Sequence, residues 1–177
     1  RRRIINTILL NAEKHQLMDI VAERFLREKR NSDILATILG YALEARCGEG
    51  GTHMNGAGHL TKLLLLELCK RTDRYALEPD DIELISTAAG LHDIGKVLIP
   101  ESILKKPGKL TAAEFELVKQ HTTLGARLVA EMPAYQNEAL VKYIIEICLR
   151  HHERWNGEGY PDGLRGDECP IAAQVTA

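Results

Sequence analysis

Apolar residues along the chain recur at steps of three and four rather than two. Over residues 4–30, Ile5, Ile8, Leu9, Leu17, Val21 and Phe25 fall close to helical spacing, with charges between them and a basic end at Arg27, Lys29 and Arg30. This stretch reads as an amphipathic connector helix or as the first helix of the domain, because only a heptad sustained over three to four repeats argues for a coiled coil. Asn31-Ser32-Asp33 offers N-cap chemistry to a second helix carrying Ile34, Leu35, Ile38, Leu39 and Leu43. Five glycines between Gly48 and Gly58 predict a turn or a weak helix before the apolar run of Leu60–Leu68. Pro79-Asp80-Asp81 starts a further helix with acids at its positive end, and Thr111 with Glu114 forms a capping box ahead of Phe115, Leu117, Val118 and Leu124. Residues 137–152 supply another, with Leu140, Val141, Ile144, Ile145 and Cys148 on one face. No sustained alternation predicts a strand, so the expected fold is all-α: a connector helix over 1–30, then a multi-helix bundle over 31–177.

Composition narrows the function classes. At 177 residues, with 45% hydrophobic and 27% charged residues, the chain can bury a core and is neither collagenous nor disordered. Its net charge of −2 is uneven. Residues 1–30 carry a local +4 and the remainder −6, which fits poorly with a surface that neutralises a polyphosphate backbone, so no nucleic-acid polymer is expected as a partner. The longest aliphatic run, Leu63–Leu66, is too short to span a bilayer, and Asn11, Glu13 and Lys14 interrupt anything resembling a signal peptide. The expected compartment is the cytoplasm. Cys47, Cys69, Cys148 and Cys169 never fall at C-x-x-C spacing and are expected as buried thiols.

The chemistry lies in the histidines. His92-Asp93 pairs an imidazole with a carboxylate near a helix end, with Gly95 expected to stop the helix and Lys96 to project beside it. His151-His152 would point about 100° apart on an ideal helix, so one metal takes both only where the helix frays, which Asn156-Gly157 allows; the pair can equally be an exposed helix end with imidazoles near the negative dipole. Glu49 and His53, four residues apart, share a face if a helical turn forms there. His121 is expected inside the Thr111-capped helix, and His15 and His59 lack partners and are assigned to surface or packing. Helical bundles build metal sites from side chains that several helices aim inward, and this series is spread over separate helices.

His92-Asp93-Ile94-Gly95-Lys96, together with His151-His152-Glu153-Arg154-Trp155-Asn156-Gly157-Glu158-Gly159-Tyr160-Pro161-Asp162-Gly163-Leu164, resembles the HD-GYP subgroup of the HD metal-dependent phosphohydrolases. The similarity covers about residues 44–177, including Lys106-Pro107-Gly108 and Leu110-Thr111. It implies a phosphodiesterase that hydrolyses cyclic di-GMP to pGpG or GMP using two or three divalent ions, iron or manganese being best suited to the donors. His53, His92 and Asp93 would hold one metal, with Asp93 bridging to a second held by His121, His151 and His152. Glu49 matches the carboxylate of a third, and Lys96 the lysine that faces the scissile phosphate. The stiff Gly159-Tyr160-Pro161 loop reads as a lip of the pocket, a docking surface or a plain structural loop.

The resemblance further implies a receiver domain in the same full-length chain, a GGDEF-domain protein as docking partner and a dimer through the N-terminal helix. Two departures stand out. Asn55-Gly56-Ala57-Gly58 replaces a basic residue and is expected to loosen the helix, and the family's remaining first-site aspartate falls past Ala177, which predicts a C-terminally incomplete, slow fragment. The alternatives are a catalytically weak docking module and a phosphohydrolase of another cyclic nucleotide or dinucleotide.

Overall fold

The computed structural model describes residues 2–47 and 53–177, with side chains at 14–32, 34–47 and 56–177. Glu49 and the side chain of His53 lie outside the described residues. The elements are helical: α1 Arg2–Cys47, α2 His53–Arg71, α3 Pro79–Ala89, a 3-10 helix Ile94–Leu98, α4 Glu101–Leu104, α5 Ala112–Lys119, α6 His121–Ala130, α7 Ala139–Arg150 and α8 Ile171–Thr176, with short 3-10 turns at Pro133–Tyr135 and Gly166–Glu168. Among the described residues the nearest thing to a strand is an isolated antiparallel bridge between Asn156 and Arg165, so the all-α expectation holds.

Contacts divide the chain into Arg1–Ile38 and Leu39–Ala177. The described residues of the first unit are helical, and Leu17, Val21, Phe25 and Leu35 among them are exposed. The expected cap at 31–33 is not used. Ser32 donates its hydroxyl to the Glu28 carbonyl one turn back, at 3.1 Å, so the hydroxyl that would have capped a new helix stays within the old one.

The second unit has one core. Leu65 of α2, Ile82 and Ile85 of α3, Ala126 and Val129 of α6, Val141, Ile144 and Ile147 of α7 and Ala172 of α8 are buried together. The caps that begin these helices follow the sequence. Asp81 accepts the Glu78 amide at 3.0 Å ahead of α3, and Thr111 and Glu114 exchange side-chain and backbone hydrogen bonds at the start of α5. Cys47, Cys148 and Cys169 are buried thiols and Cys69 is partly buried, as expected. None of the described helices is long and apolar enough to cross a membrane.

Three local expectations change, each for a packing reason. Gly56 and Gly58 lie within α2 rather than breaking it, and a Cβ on Gly58 would come within 2.6 Å of the Ser86 carbonyl oxygen, so its bareness lets α3 cross closely. Gly90, not Gly95, sits at the C-cap of α3. Gly95 instead presses against the start of α6, where a Cβ would collide with the His121 carbonyl and lie 2.6 Å from the Gly125 nitrogen. That crossing brings the His92-Asp93 segment to His121. Gln120 interrupts the helix expected through 121, so His121 opens α6 instead of lying inside α5.

Gly95→Ala should therefore destabilise the protein by about 1–3 kcal/mol through backbone overpacking. Gly56→Ala, whose Cβ would meet nothing within 4 Å, should stabilise α2 by about 0.5–1 kcal/mol. Urea denaturation of both variants checks the opposite signs.

Candidate metal centre

The end of a helix answers the question that His151-His152 poses. Helix α7 stops at Arg150 with His151 at its C-cap, and the His151 and His152 rings lie 4.1 Å apart at 46°. Asp93 stands at the head of the 3-10 helix that follows α3, and His121 at the head of α6. Ligand atoms of Asp93, His121, His151 and His152 all fall within 4.8 Å of one another. Asp93, His121 and His151 are buried and His152 is partly so.

Backbone carbonyls fix three of the rings. His92 Nδ1 lies 2.7 Å from the Ala89 oxygen, His121 Nδ1 2.6 Å from that of Val118, and His151 Nδ1 2.9 Å from that of Ile147. A carbonyl can only accept, so each Nδ1 carries the proton and each neutral ring presents its Nε2 lone pair on the other side. Those lone pairs converge. His121 and His151 Nε2 are 3.2 Å apart, and Asp93 Oδ1 lies 3.2 Å from the first and 3.8 Å from the second. Among the described residues this buried Oδ1 accepts no well-aligned hydrogen bond. Two imidazole nitrogens and a carboxylate oxygen crowded together in a buried site are the donor set that a cation would take.

The second Asp93 oxygen faces other groups: Oδ2 lies 3.1 Å from His92 Nε2 and 2.8 Å from Lys96 Nζ. The carboxylate thus has one oxygen toward His121 and His151 and the other toward His92 and Lys96, a disposition that suits a bridging ligand.

Burial works to raise the Asp93 carboxyl, but His121, His92 and Lys96 reverse this and hold it far below the usual carboxylate range. Burial likewise opposes charge on His92, where Asp93 outweighs it and the net shift is upward. For His151, burial, then His152 and His92, outweigh the opposing pull of Asp93 and the Ile147 carbonyl and push it down to about 3. Burial and His121 bring His152 to about 4. Both rings are therefore neutral and ready to donate a lone pair at physiological pH. The Cys148 thiol, pushed up to about 12 by burial and by Asp93, is inert.

The Gly159-Tyr160-Pro161 loop closes over this cluster. The Tyr160 ring stacks on His152 with centroids 4.7 Å apart and planes at 27°, and Lys119 Nζ lies 5.4 Å from the Tyr160 ring centroid. Burial, then Asp93, pushes the Tyr160 hydroxyl up to about 12, so it stays protonated. His15 and His59 are exposed, as their lack of partners suggested. Two contributors escaped sequence reasoning. Lys119 is one of many helix-borne lysines and carries no pattern. Glu153 is buried and accepts three backbone N–H groups of the loop; its place directly after His152, ahead of the Asp162-Gly163 turn, was the available signal.

The two lowered histidines fix a pH dependence. Each binds a proton at about 6.5 when unfolded but only at about 3 or 4 when folded, so the unfolded state takes protons first and stability falls as pH drops below about 6.5. His92, shifted upward, works the other way but is one group against two. The melting temperature of metal-free protein should fall between about pH 7 and pH 4, and His152→Gln should shrink that fall. At neutral pH, manganese at a hundred times its dissociation constant should add about 2.7 kcal/mol of stability, and Asp93→Asn should abolish the gain. Scanning calorimetry checks both.

Comparison with known proteins agrees with this geometry. The profile of the HD domain family matches residues 17–177. A protein of Vibrio cholerae serotype O1 named "Probable cyclic di-GMP phosphodiesterase" is 40% identical over 174 residues, covering 96% of this chain and 39% of that protein. The "3'3'-cGAMP-specific phosphodiesterase 2" of the same organism is 37% identical over 150 residues, covering 84% and 26% respectively. The "Cyclic di-GMP phosphodiesterase response regulator RpfG" of Xanthomonas campestris pv. campestris is 37% identical over 150 residues, covering 85% and 36%. The chain thus spans well under half the length of these relatives. With a profile match that takes in all but its first sixteen residues, the chain belongs to the HD domain family.

Proposed function

We propose that the chain is the catalytic part of a metal-dependent phosphodiesterase that hydrolyses cyclic di-GMP to pGpG, GMP or both. The observation that carries this reading is Asp93, whose two oxygens face two separate sets of nitrogen donors. His92 and Asp93 with His53 would make up one side, Asp93 with His121, His151 and His152 the other, and Glu49 would supply the carboxylate of a third ion. The donor set suits two or three divalent ions, with iron and manganese favoured by imidazole joined to carboxylate. When bound, such ions supply Lewis-acid activation of a phosphoryl oxygen and of water.

The chain's own residues do the rest. Asp93 stays ionised throughout the working pH range and keeps both oxygens available. His151 and His152 remain neutral donors. Lys96, 2.8 Å from Asp93 Oδ2, carries an ammonium that can turn to a phosphate oxygen and offset charge as it develops there. Tyr160 and Lys119 wall one side of the entrance with a ring face and a cation. The leaving ribose oxygen would take its proton from water or from an acid not yet assigned.

Further partners form part of the same reading: residues 1–30 as a connector from a receiver domain, dimerisation through that helix, docking of a GGDEF-domain protein at the Gly159-Tyr160-Pro161 loop, and a cytoplasmic setting. The exposed Leu17, Val21, Phe25 and Leu35 support pairing of the N-terminal helix. The relationship to a 3'3'-cGAMP-specific enzyme supports a second reading, hydrolysis of that mixed dinucleotide.

In manganese- or iron-loaded full-length protein, cyclic di-GMP should be cleaved with a kcat/KM above that for 3'3'-cGAMP, and the reverse order would favour the second reading. Lys96→Met should lower turnover by about a hundredfold to a thousandfold while metal content and melting temperature stay near those of the parent. Unchanged turnover would remove Lys96 from the reaction. Sedimentation equilibrium should give a dimer that Val21→Glu with Leu35→Glu converts to monomer.

A further inference from the structure

His152 differs from the other histidines of the cluster. The rings of His92, His121 and His151 are each tied to a backbone carbonyl through Nδ1. Among the described residues, the contacts of the His152 ring are with other rings: His151 at 4.1 Å, Tyr160 at 4.7 Å and His121 at 5.1 Å. Metal-binding imidazoles are ordinarily oriented by a hydrogen bond to the second ring nitrogen. For His152 that task falls to a stacked aromatic, so whatever fixes Tyr160 fixes the ligand.

Tyr160 is fixed by a buried carboxylate. Glu153 Oε1 accepts the amides of Asp162 at 2.7 Å and Gly163 at 3.1 Å, and Oε2 accepts that of Leu164 at 2.9 Å. Three successive N–H groups curl around one anion, helped by Gly163 at φ +68°, a left-handed conformation. At the near end of the loop the Tyr160 amide donates to the His152 carbonyl at 3.2 Å. The loop is thereby pinned on both sides of the Tyr160 ring, and the carboxylate that pins it belongs to the residue directly after the ligand.

We propose that Glu153 is a positioning residue for the metal centre: by holding the 162–164 backbone it keeps Tyr160 stacked on His152 and so holds that imidazole in its ligating pose. The inference rests on the reading of the cluster as a metal centre, but not on the identity of the substrate. Glu153→Gln is the informative change, because it preserves volume while removing the charge and turning one acceptor into an NH2 group opposed to a backbone N–H.

The test uses the full chain, manganese alone as probe and calorimetric titration, with amide hydrogen exchange of residues 162–164 as a metal-independent readout. Glu153→Gln should speed exchange at those amides about tenfold or more and weaken manganese binding about tenfold. Tyr160→Ala should weaken binding to a similar extent and Tyr160→Phe should not, since the ring face carries the effect. The double variant Glu153→Gln/Tyr160→Ala should bind no worse than the weaker single variant, because both act through one contact.

Faster exchange with unchanged manganese affinity would overturn the proposal, as would additive losses. If Glu153→Gln fails to fold, the Tyr160 pair decides: equal affinities for Ala and Phe would overturn it. Parent protein that binds manganese yet spares cyclic di-GMP would defeat the substrate assignment alone, and parent protein that binds no manganese would defeat the metal reading together with this inference.

Discussion

A single buried carboxylate organises the site. Asp93 sits in the interior with His121 and His151 at one oxygen and His92 and Lys96 at the other. Removing a carboxylate from water is costly unless cations or donors surround it. Here the surrounding imidazoles have already committed their Nδ1 protons to backbone carbonyls, so in their neutral form they offer the carboxylate lone pairs rather than protons. Lys96 already supplies positive charge at Oδ2, and a cation among Oδ1, His121 and His151 would supply it at the other oxygen. That disposition links the fold to metal-dependent chemistry.

The geometry rests on how closely two backbones approach. His92-Asp93 and His121 are distant in sequence and meet because the 3-10 helix Ile94–Leu98 lies directly against the start of α6, with Gly95 facing Gly125. A methyl group at Gly95 would push the segments apart and carry Asp93 from its partners. The third element arrives through α7, whose apolar face of Val141, Ile144, Ile147 and Cys148 anchors the helix that ends at His151. The two histidines then turn inward because the helix stops before them.

Much of this was legible from residue pattern. The starts of α3 and α5 and the apolar face of α7 follow apolar spacing and capping residues such as Thr111 and Glu114, whose effects are local. The convergence of His92, Asp93, His121, His151 and His152 was legible only through their combined pattern, since each alone is an ordinary helix-end histidine or acid. Close crossings were not legible: Gly58 and Gly95 look like helix breakers in one dimension and are contact points in three. Ser32 was misleading for a related reason, because a hydroxyl that caps a helix can equally bond the preceding turn. Glu153 went unassigned because its partners are backbone amides, which have no letter in the sequence.

The claim on which the account turns is that three backbone carbonyls set the tautomers and aim three Nε2 lone pairs at Asp93. Long-range proton–nitrogen NMR correlation on histidine-labelled, metal-free protein at slightly alkaline pH reads those tautomers directly. The account predicts Nδ1–H forms for His121 and His151, with unprotonated Nε2 atoms whose resonances move when diamagnetic zinc is added. Nε2–H forms at these two rings, indifferent to zinc, would contradict it.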